Sequence, residues 1–307
     1  MRSASQASQN SGFPGSLRGS ECEPLLIRSR THAAAVALVA LALAGCPRVP
    51  PPDLSRDPAA LLDQVRAAQA RVQRVRGSAR VKIKSPGANG TVTEFAAAEK
   101  PDRVHLETLD FFGNPAAVLV AADGRFAFLD ARANVFYRGD ATPENVSRLL
   151  PVMIPVEELV VILCGSAPLL PGTPLEVGVK DDLLLLTIGL GDLGQRVAVG
   201  ELAAIEWSRL RRALHGPGSP GQDAPAYDLE FGIFRHRAGV RFPTELQLDA
   251  PAGQARVQLT WRNDLEVNGR LDAGLFRLAP PKGARVVELA RGAAVPATDL
   301  PIEPPRE

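Results

Sequence analysis

The sequence predicts a mainly β protein: a strongly curved antiparallel sheet (a half-open β-barrel) of about 11 strands, with an N-terminal helix and a short helical pair covering its concave face. Three observations carry this. Short segments that alternate apolar and polar residues follow one another, with tight-turn signals between them. Helix-period patterns occur at two places only, near residue 60 and between residues 142 and 163. Hydrophobic residues make up 45% of the 307, enough for a sizeable core, while only 5% are aromatic.

The elements follow in order. From Asp57 to Val75, residues Leu61, Leu62, Val65, Ala68, Val72 and Val75 fall on one helical stripe, with Asp57 as N-cap, Pro58 at the first helical position and Gly77 as the stop. Strands then read over 78–84, 91–98, 103–108, 116–121, 125–130 and 133–137. The turn Pro86-Gly87-Ala88-Asn89-Gly90 carries an Asn-Gly hairpin signal, and Asp123-Gly124 marks another turn. Six strands joined by short turns form a meander able to curl toward a barrel. Thr142 before Pro143 opens a short helix to Leu150, prolines 151 and 155 bracket a break, and Val156 to Leu163 forms a second helix that ends at Gly165. Strands resume over 175–180, 183–188, 195–199, 202–210, 227–235, 244–249 and 256–261, with a Gly/Pro-rich loop over 216–226. After Leu289 the chain reads as a Pro-rich, disordered tail, residues 290–307.

The start of the chain is a different kind of segment. Arg28 and Arg30 precede Ala33 to Ala44, an apolar run too short to span a bilayer as a helix but the right length for a signal-peptide core. Leu43-Ala44-Gly45-Cys46 follows and resembles the bacterial lipobox. The resemblance implies that Cys46 becomes an acylated N-terminus. The alternative is an ordinary secretory signal followed by a chance cysteine; charge, apolar run and small-residue site together favour the lipobox. Several acyl chains anchor far more firmly than one. Pro47 to Pro58, with its prolines, reads as a semi-rigid tether. Met1 to Leu26 is Ser-rich and long for a signal, a length that a start codon placed too early would explain. The expected organisation is therefore a signal peptide over 1–45, a lipidated cysteine and tether over 46–56, one folded domain over 57–289, and the tail.

Composition limits the function classes. A net charge of +1 offers no broad basic face for nucleic acid. Of three cysteines, Cys22 leaves with the signal and Cys46 is acylated, so Cys164 stands alone and no internal disulfide forms. Cys164 sits in an apolar segment with no His or Lys nearby in sequence, the setting of an inert core thiol.

The middle segment carries a resemblance. Thr142-Pro143-Glu144-Asn145-Val146-Ser147-Arg148-Leu149-Leu150, then Met153-Ile154-Pro155-Val156-Glu157-Glu158-Leu159, then Ile162-Leu163-Cys164-Gly165-Ser166-Ala167-Pro168, resembles the LolB family of outer-membrane lipoproteins. Members of that family receive other lipoproteins from a periplasmic carrier and insert them into the membrane. Leu109-Asp110-Phe111-Phe112-Gly113 matches the family's loop between the third and fourth strands, where an exposed apolar residue before a glycine serves insertion; Phe112 takes that position. Phe276-Arg277-Leu278-Ala279-Pro280-Pro281-Lys282-Gly283 is similar to an ending of the wider LolA/LolB-like group. The chain departs from the family in its length around 216–226 and after Pro280, and in Phe-Phe where the family has Pro-Leu.

The resemblance implies a cavity for acyl chains behind the helices, with Leu149, Leu150, Met153, Ile154, Leu159, Ile162 and Leu163 as its lid, and Phe111 and Phe112 as the membrane-insertion loop. It implies a monomer that uses no cofactor and no metal, binds the acyl chains of lipoproteins, meets the membrane through Cys46, and takes cargo from a LolA-like periplasmic carrier. Pro47 after the cysteine, rather than aspartate, leans toward the outer membrane, facing the periplasm. Apolar pockets take such ligands by area burial, about 25 cal/mol per Å² before ordering costs. For Phe111 and Phe112 two fates stay open on the residues alone, burial in the core or exposure on the loop. A second functional reading is a scaffold lipoprotein of envelope assembly with the same fold and a protein partner.

Other signals fail on context. Gly189-Leu190-Gly191-Asp192-Leu193-Gly194 fits G-x-G-x-x-G, but a strand-like alternation follows where a dinucleotide site needs a helix, so it reads as a hairpin. His105, His215 and His236 share no metal spacing. Glu157 and Glu158 are adjacent on a helix and form a solvated face. Trp207 with Arg209 to Arg212 looks like an amphipathic strand end. No nucleophile elbow or Ser/His/Asp pattern occurs, so a hydrolase has little support and no enzyme is expected.

Overall fold

Two meanders that meet edge to edge make one sheet. The computed structural model describes residues 50–86, 88–146, 150, 154–212, 225–250 and 254–289. The first meander runs through β1 (Arg74–Ser85), β2 (Ala88–Glu99), β3 (Arg103–Leu109), β4 (Pro115–Ala122), β5 (Arg125–Asp130) and β6 (Val135–Asp140). The second runs through β7 (Thr173–Lys180), β8 (Leu183–Leu190), β9 (Leu193–Val199), β10 (Ile205–Arg212), β11 (Pro225–Arg237), β12 (Val240–Ala250) and β13 (Ala255–Trp261). β13 pairs antiparallel with β1, Ala79 opposite Trp261, and this seam joins them. The two-residue β14 (Glu266–Val267) also pairs with β1, and β15 (Arg285–Leu289) adds in parallel to β6. The sheet holds 15 strands and does not close: β15 lies at one end of the strand order and β7 at the other. This is the mainly β, half-open architecture expected, with more strands than the expected 11.

Alternation assigns the faces. One inner row crosses seven strands: Leu289, Gly139, Phe126, Ala121, Val104, Ala98 and Val75 lie side by side. Many of its members are small, as are Ala79, Ala96 and Ala117 on the same face, so the concave side bends in without crowding. Register shifts at Thr108/Leu109, Pro174/Glu176, Ile205/Trp207 and Leu210/Arg211 add local bends. In the second meander Leu184, Leu186, Ile188, Val197 and Leu229 are almost wholly buried on the inner face. The outer face of β4 carries Val118 and Val120, and the 271–278 segment covers them through Phe276, Leu271 and Leu278.

Three helices occupy the concave side. Helix α1 (Pro58–Ala70) is capped as expected: Asp57 Oδ1 accepts from Ala60 N at 2.8 Å. It buries Leu61, Leu62 and Val65 and packs against β7, β8 and the 3-10 turn Glu201–Ala203. In α2 (Pro143–Val146), Asn145 N donates to Thr142 Oγ1 at 3.3 Å, the cap the sequence signalled. Helix α3 (Val156–Leu163) has the expected bounds, buries Val156, Val160, Ile162 and Leu163, and packs on β2 and β3. Gly165, at φ +78°, ends it, and a Cβ there would lie 2.8 Å from the Phe242 ring.

Several expected boundaries move. The first helix stops at Ala70, and Gly77 is inside β1 rather than a stop; Val72 and Val75 suit helix and strand periods alike, and the twelve-pair ladder with β2 decides. Gly77 is needed because the Leu265 backbone passes 2.9 Å from where its Cβ would be. The β1–β2 connection is 86–87; Asn89 and Gly90 are already paired with Lys84 and Ile83, because the ladder extends past the Asn-Gly signal. The strand expected to start at Leu202 starts at Ile205, since Leu202 and Ala203 both hold φ +57° in the 3-10 turn.

Candidate functional site

The loop between β3 and β4 is built to hold its phenylalanines in solvent. Asp110 Oδ1 accepts from Phe112 N at 2.9 Å and from Asn114 N at 2.8 Å. Asp110 N donates to Asn114 O at 2.8 Å, and Gly113, at φ +83°, closes the turn by donating to Asp110 O at 3.1 Å. The backbone N–H of Asn114, followed by other turn donors, holds the Asp110 carboxyl below the usual carboxylate range. On this braced turn Phe111 is 97% and Phe112 84% exposed, and their rings touch only edge to face, centroids 5.6 Å apart. Both residues therefore take the exposed fate. A rigid turn presenting two bare aromatic rings can enter an apolar phase without further ordering.

The helical residues have the opposite placement. Ile154, Ile162 and Leu163 are buried, and Leu150 and Leu159 are half-buried, all packed into the main core. Leu149 and Met153 lie outside the described residues, as do Cys46 with the segment around it and the 290–307 tail. Among the described residues, helix α3 packs its apolar side chains into the core on the concave face. A described cleft beside it, lined by Gln69, Val72, Ser166, Ile205 and Phe242, measures about 30 Å³, room for ordered water but not for an acyl chain. An acyl chain needs these side chains to move aside.

Polar groups on the inner face do specific work. Gln195 is 1% exposed; its amide donates to Pro168 O at 2.7 Å and Ser208 Oγ at 2.9 Å, and its oxygen accepts from Leu170 N at 2.8 Å. It fastens the segment after α3 to the sheet. Gln69 of α1 reaches the same segment, donating to Ser166 Oγ at 2.8 Å and Ala167 O at 2.7 Å. Tyr227 of β11 is hydrogen-bonded to Glu158 of α3; burial raises both groups above their ordinary ranges. Glu158 is therefore a tie across the concave face, not the solvated surface group expected of it.

Glu94 is the polar group that sequence reading missed. It lies in the inner row Trp261, Ala79, Glu94, Thr108, Ala117, one strand from the phenylalanine loop. Thr108 Oγ1 donates to its Oε2 at 2.8 Å. Burial pushes its carboxyl up to about 7, against the lowering pull of Thr108, and nearby Glu107 adds to the rise. The available signal was its phase: Glu94 alternates with Val92, Ala96 and Ala98, which face the core. Near neutral pH it is a proton donor or acceptor in an apolar setting.

The remaining sequence signals resolve structurally. Gly189 to Gly194 is the β8–β9 hairpin, with Gly191 at φ +60° in its turn. His105 is buried on the outer face, its Nδ1 2.8 Å from Leu275 O and its Nε2 3.2 Å from Glu107. No His, Cys, Asp or Glu cluster able to hold a metal occurs among the described residues. Cys164 is buried, and burial pushes its thiol up to about 12. The fold does bring Lys100 near it, a proximity the sequence neighbours did not reveal, yet desolvation outweighs that charge.

No protein-family model matches the chain, and no curated protein matches it. Solved structures do. A DUF1329 family protein from Desulfovibrio piger is 13% identical, with 73% of this chain and 98% of that one covered at a TM-score of 0.50. A LolA superfamily protein from Nitrosomonas europaea is 9% identical, with 72% and 97% covered at a TM-score of 0.48. The likeness to the Desulfovibrio protein is one of fold.

Proposed function

We propose that this chain is a lipid-anchored lipoprotein of the outer membrane, facing the periplasm, that shelters acyl chains against the concave face of its sheet and passes lipoproteins into the bilayer. Cys46 carries the anchor and the proline-rich segment after it sets the reach. Cargo arrives from a LolA-like periplasmic carrier, and transfer makes no covalent bond and uses no cofactor. The chain works as a monomer.

The observation that carries this reading is the Phe111–Phe112 pair, 97% and 84% exposed on a turn that Asp110 braces. Burying one such side chain in an apolar phase is worth about 2–3 kcal/mol, so bare exposure has a cost that bilayer contact removes. The inner face supplies aliphatic wall, and α3, with its lid residues Leu159, Ile162 and Leu163 and with Ile154 just before it, is the element an acyl chain displaces.

The test is Phe112→Glu in the full-length lipoprotein. A charge at that position should reduce transfer of an acylated protein into liposomes at least tenfold while thermal unfolding stays unchanged. Transfer at the wild-type rate would remove the loop from the mechanism. The burial of Val156, Val160, Ile162 and Leu163 of α3 in the core favours a second reading, a scaffold of envelope assembly that binds a protein partner. A fluorescent fatty-acyl probe separates the two: saturable binding supports the carrier, and a protein that ignores the probe supports the scaffold.

A further inference from the structure

The outer face of β1 carries Arg80, Lys82 and Lys84, all exposed. Alternate residues on a strand are about 7 Å apart, so the three cations form a short row. Their cross-strand neighbours are Thr260, Gln258 and Arg256 on β13 and Thr93, Thr91 and Asn89 on β2. None of the six is acidic. Elsewhere on the described outer face several cations are answered: Arg76 by Glu266, Arg125 by Asp140, Arg138 by Glu288, Arg209 by Glu230 and Arg256 by Asp249. Arg80, Lys82 and Lys84 have no ion-pair partner among the described residues.

Register places this row beside the phenylalanines. Thr93 pairs with Leu109, the last residue of β3. Beyond that level the β1–β2 hairpin continues through the pairs Val81–Val92 to Ser85–Ala88, while the chain of β3 turns through Phe111 and Phe112. Lys82 and Lys84 therefore stand at the height of the phenylalanine turn, two strands away, about 10 Å along the sheet.

We infer that the outer face of the β1–β2 hairpin is a docking surface for anionic phospholipid, acting together with the Phe111–Phe112 turn. The occupant is a bilayer rather than a protein because a row of cations without ion-pair partners and two exposed phenylalanines lie side by side, and a membrane interface offers anionic headgroups next to hydrocarbon. This rests on the proposed reading that the turn enters a membrane, and it adds the lipid charge that the protein selects.

The test uses the mature chain from residue 46 carrying Cys46→Ser, so that neither acyl anchoring nor the apolar 33–44 run masks the contact, and measures flotation with vesicles. Phosphatidylcholine vesicles are compared with vesicles in which roughly a quarter of the lipid is phosphatidylglycerol. Each cation near an anionic surface contributes roughly fivefold, so Arg80→Gln/Lys82→Gln/Lys84→Gln should lose on the order of 100-fold in affinity for the anionic vesicles, with little change on neutral ones. Raised salt should mimic the loss. Arg235→Gln/Arg237→Gln, exposed on β11, is the control and should bind as the parent does. Unfolding midpoints of all variants check that they fold. If the triple variant keeps its preference while Phe112→Glu abolishes flotation, the cation row is refuted and the membrane reading stands. If Phe112→Glu changes nothing and the triple variant loses binding, or if the parent ignores both vesicles, joint docking is refuted and the reading beneath it fails as well. An acidic protein as the true occupant gives the last of these results.

Discussion

Glu94→Gln isolates the most consequential charge on the inner face. The carboxyl moves from an ordinary 4.5 to about 7 on folding. The folded state therefore holds a proton that the unfolded state gives up between these values, and stability falls as pH rises through that window. At 1.36 kcal/mol per unit the full penalty is about 3 kcal/mol, present above pH 7 and absent below 4.5. Glutamine keeps an oxygen for the Thr108 hydroxyl, which now donates at 2.8 Å, and has no charge to desolvate. The variant should match the parent near pH 4.5 and exceed it by about 2–3 kcal/mol near pH 8, read by urea unfolding at a series of pH values. The difference between the two proteins matters, because it cancels every other titrating group. A difference that stays flat from pH 4.5 to 8 would refute the inner-face placement of a desolvated Glu94.

Three further outcomes follow from the packing. Gln195→Leu leaves Leu170 N, Pro168 O and the Ser208 hydroxyl unpartnered in the core, so urea unfolding should show a loss of about 3 kcal/mol or more. Gly139→Ala puts a methyl group 2.5 Å from Leu289 O; it should lower stability by about 1–3 kcal/mol and release β15, seen as faster amide exchange at Val287 and Leu289. Cys164, with its thiol pushed up to about 12, holds on the order of a thousandfold less thiolate than an exposed cysteine, so native protein should resist a disulfide reagent until urea unfolds it.

Local chemistry was legible in the chain, and long-range chemistry was not. Asp57 and Thr142 announced their caps, Val156 to Leu163 its helix, and Gly189 to Gly194 its hairpin, because each depends on residues within one or two turns. β14 and β15 escaped notice for a physical reason. Two residues carry no period, and Arg285–Leu289 is a strand because β6 offers an edge and Gly139 leaves room for it. The seam of β1 with β13 spans about 180 residues, and alternation alone names no partner. The phenylalanine turn was found, but its exposure was not decidable from two apolar letters; Asp110 decides it by taking two backbone donors. Glu94 and Lys100 became notable only through neighbours brought in by pairing and by helix packing.

Under the proposed function, the packing of α3 against the concave face bears directly on transfer. Helix α3 buries Val156, Val160, Ile162 and Leu163 there. Withdrawing four such side chains costs about 6–12 kcal/mol at 1.5–3 kcal/mol each. An acyl chain of about 15 methylenes returns about 12 kcal/mol at 0.8 each if fully covered. The two terms are close in size, so under the proposed function exchange of helix for acyl chain would run near balance instead of trapping the cargo. Near-balance is what a relay requires: a cavity standing open would hold its ligand against the bilayer, whereas a sheet with its own plug releases the chain when a lipid phase is at hand. The ties that hold the plug, Glu158 to Tyr227 and Gln195 to the segment after α3, then set how far the balance leans toward the closed form. Loosening one of them, by Tyr227→Phe, should raise acyl-probe affinity and slow release to liposomes together. A change in affinity without a change in release would separate the plug from the transfer step.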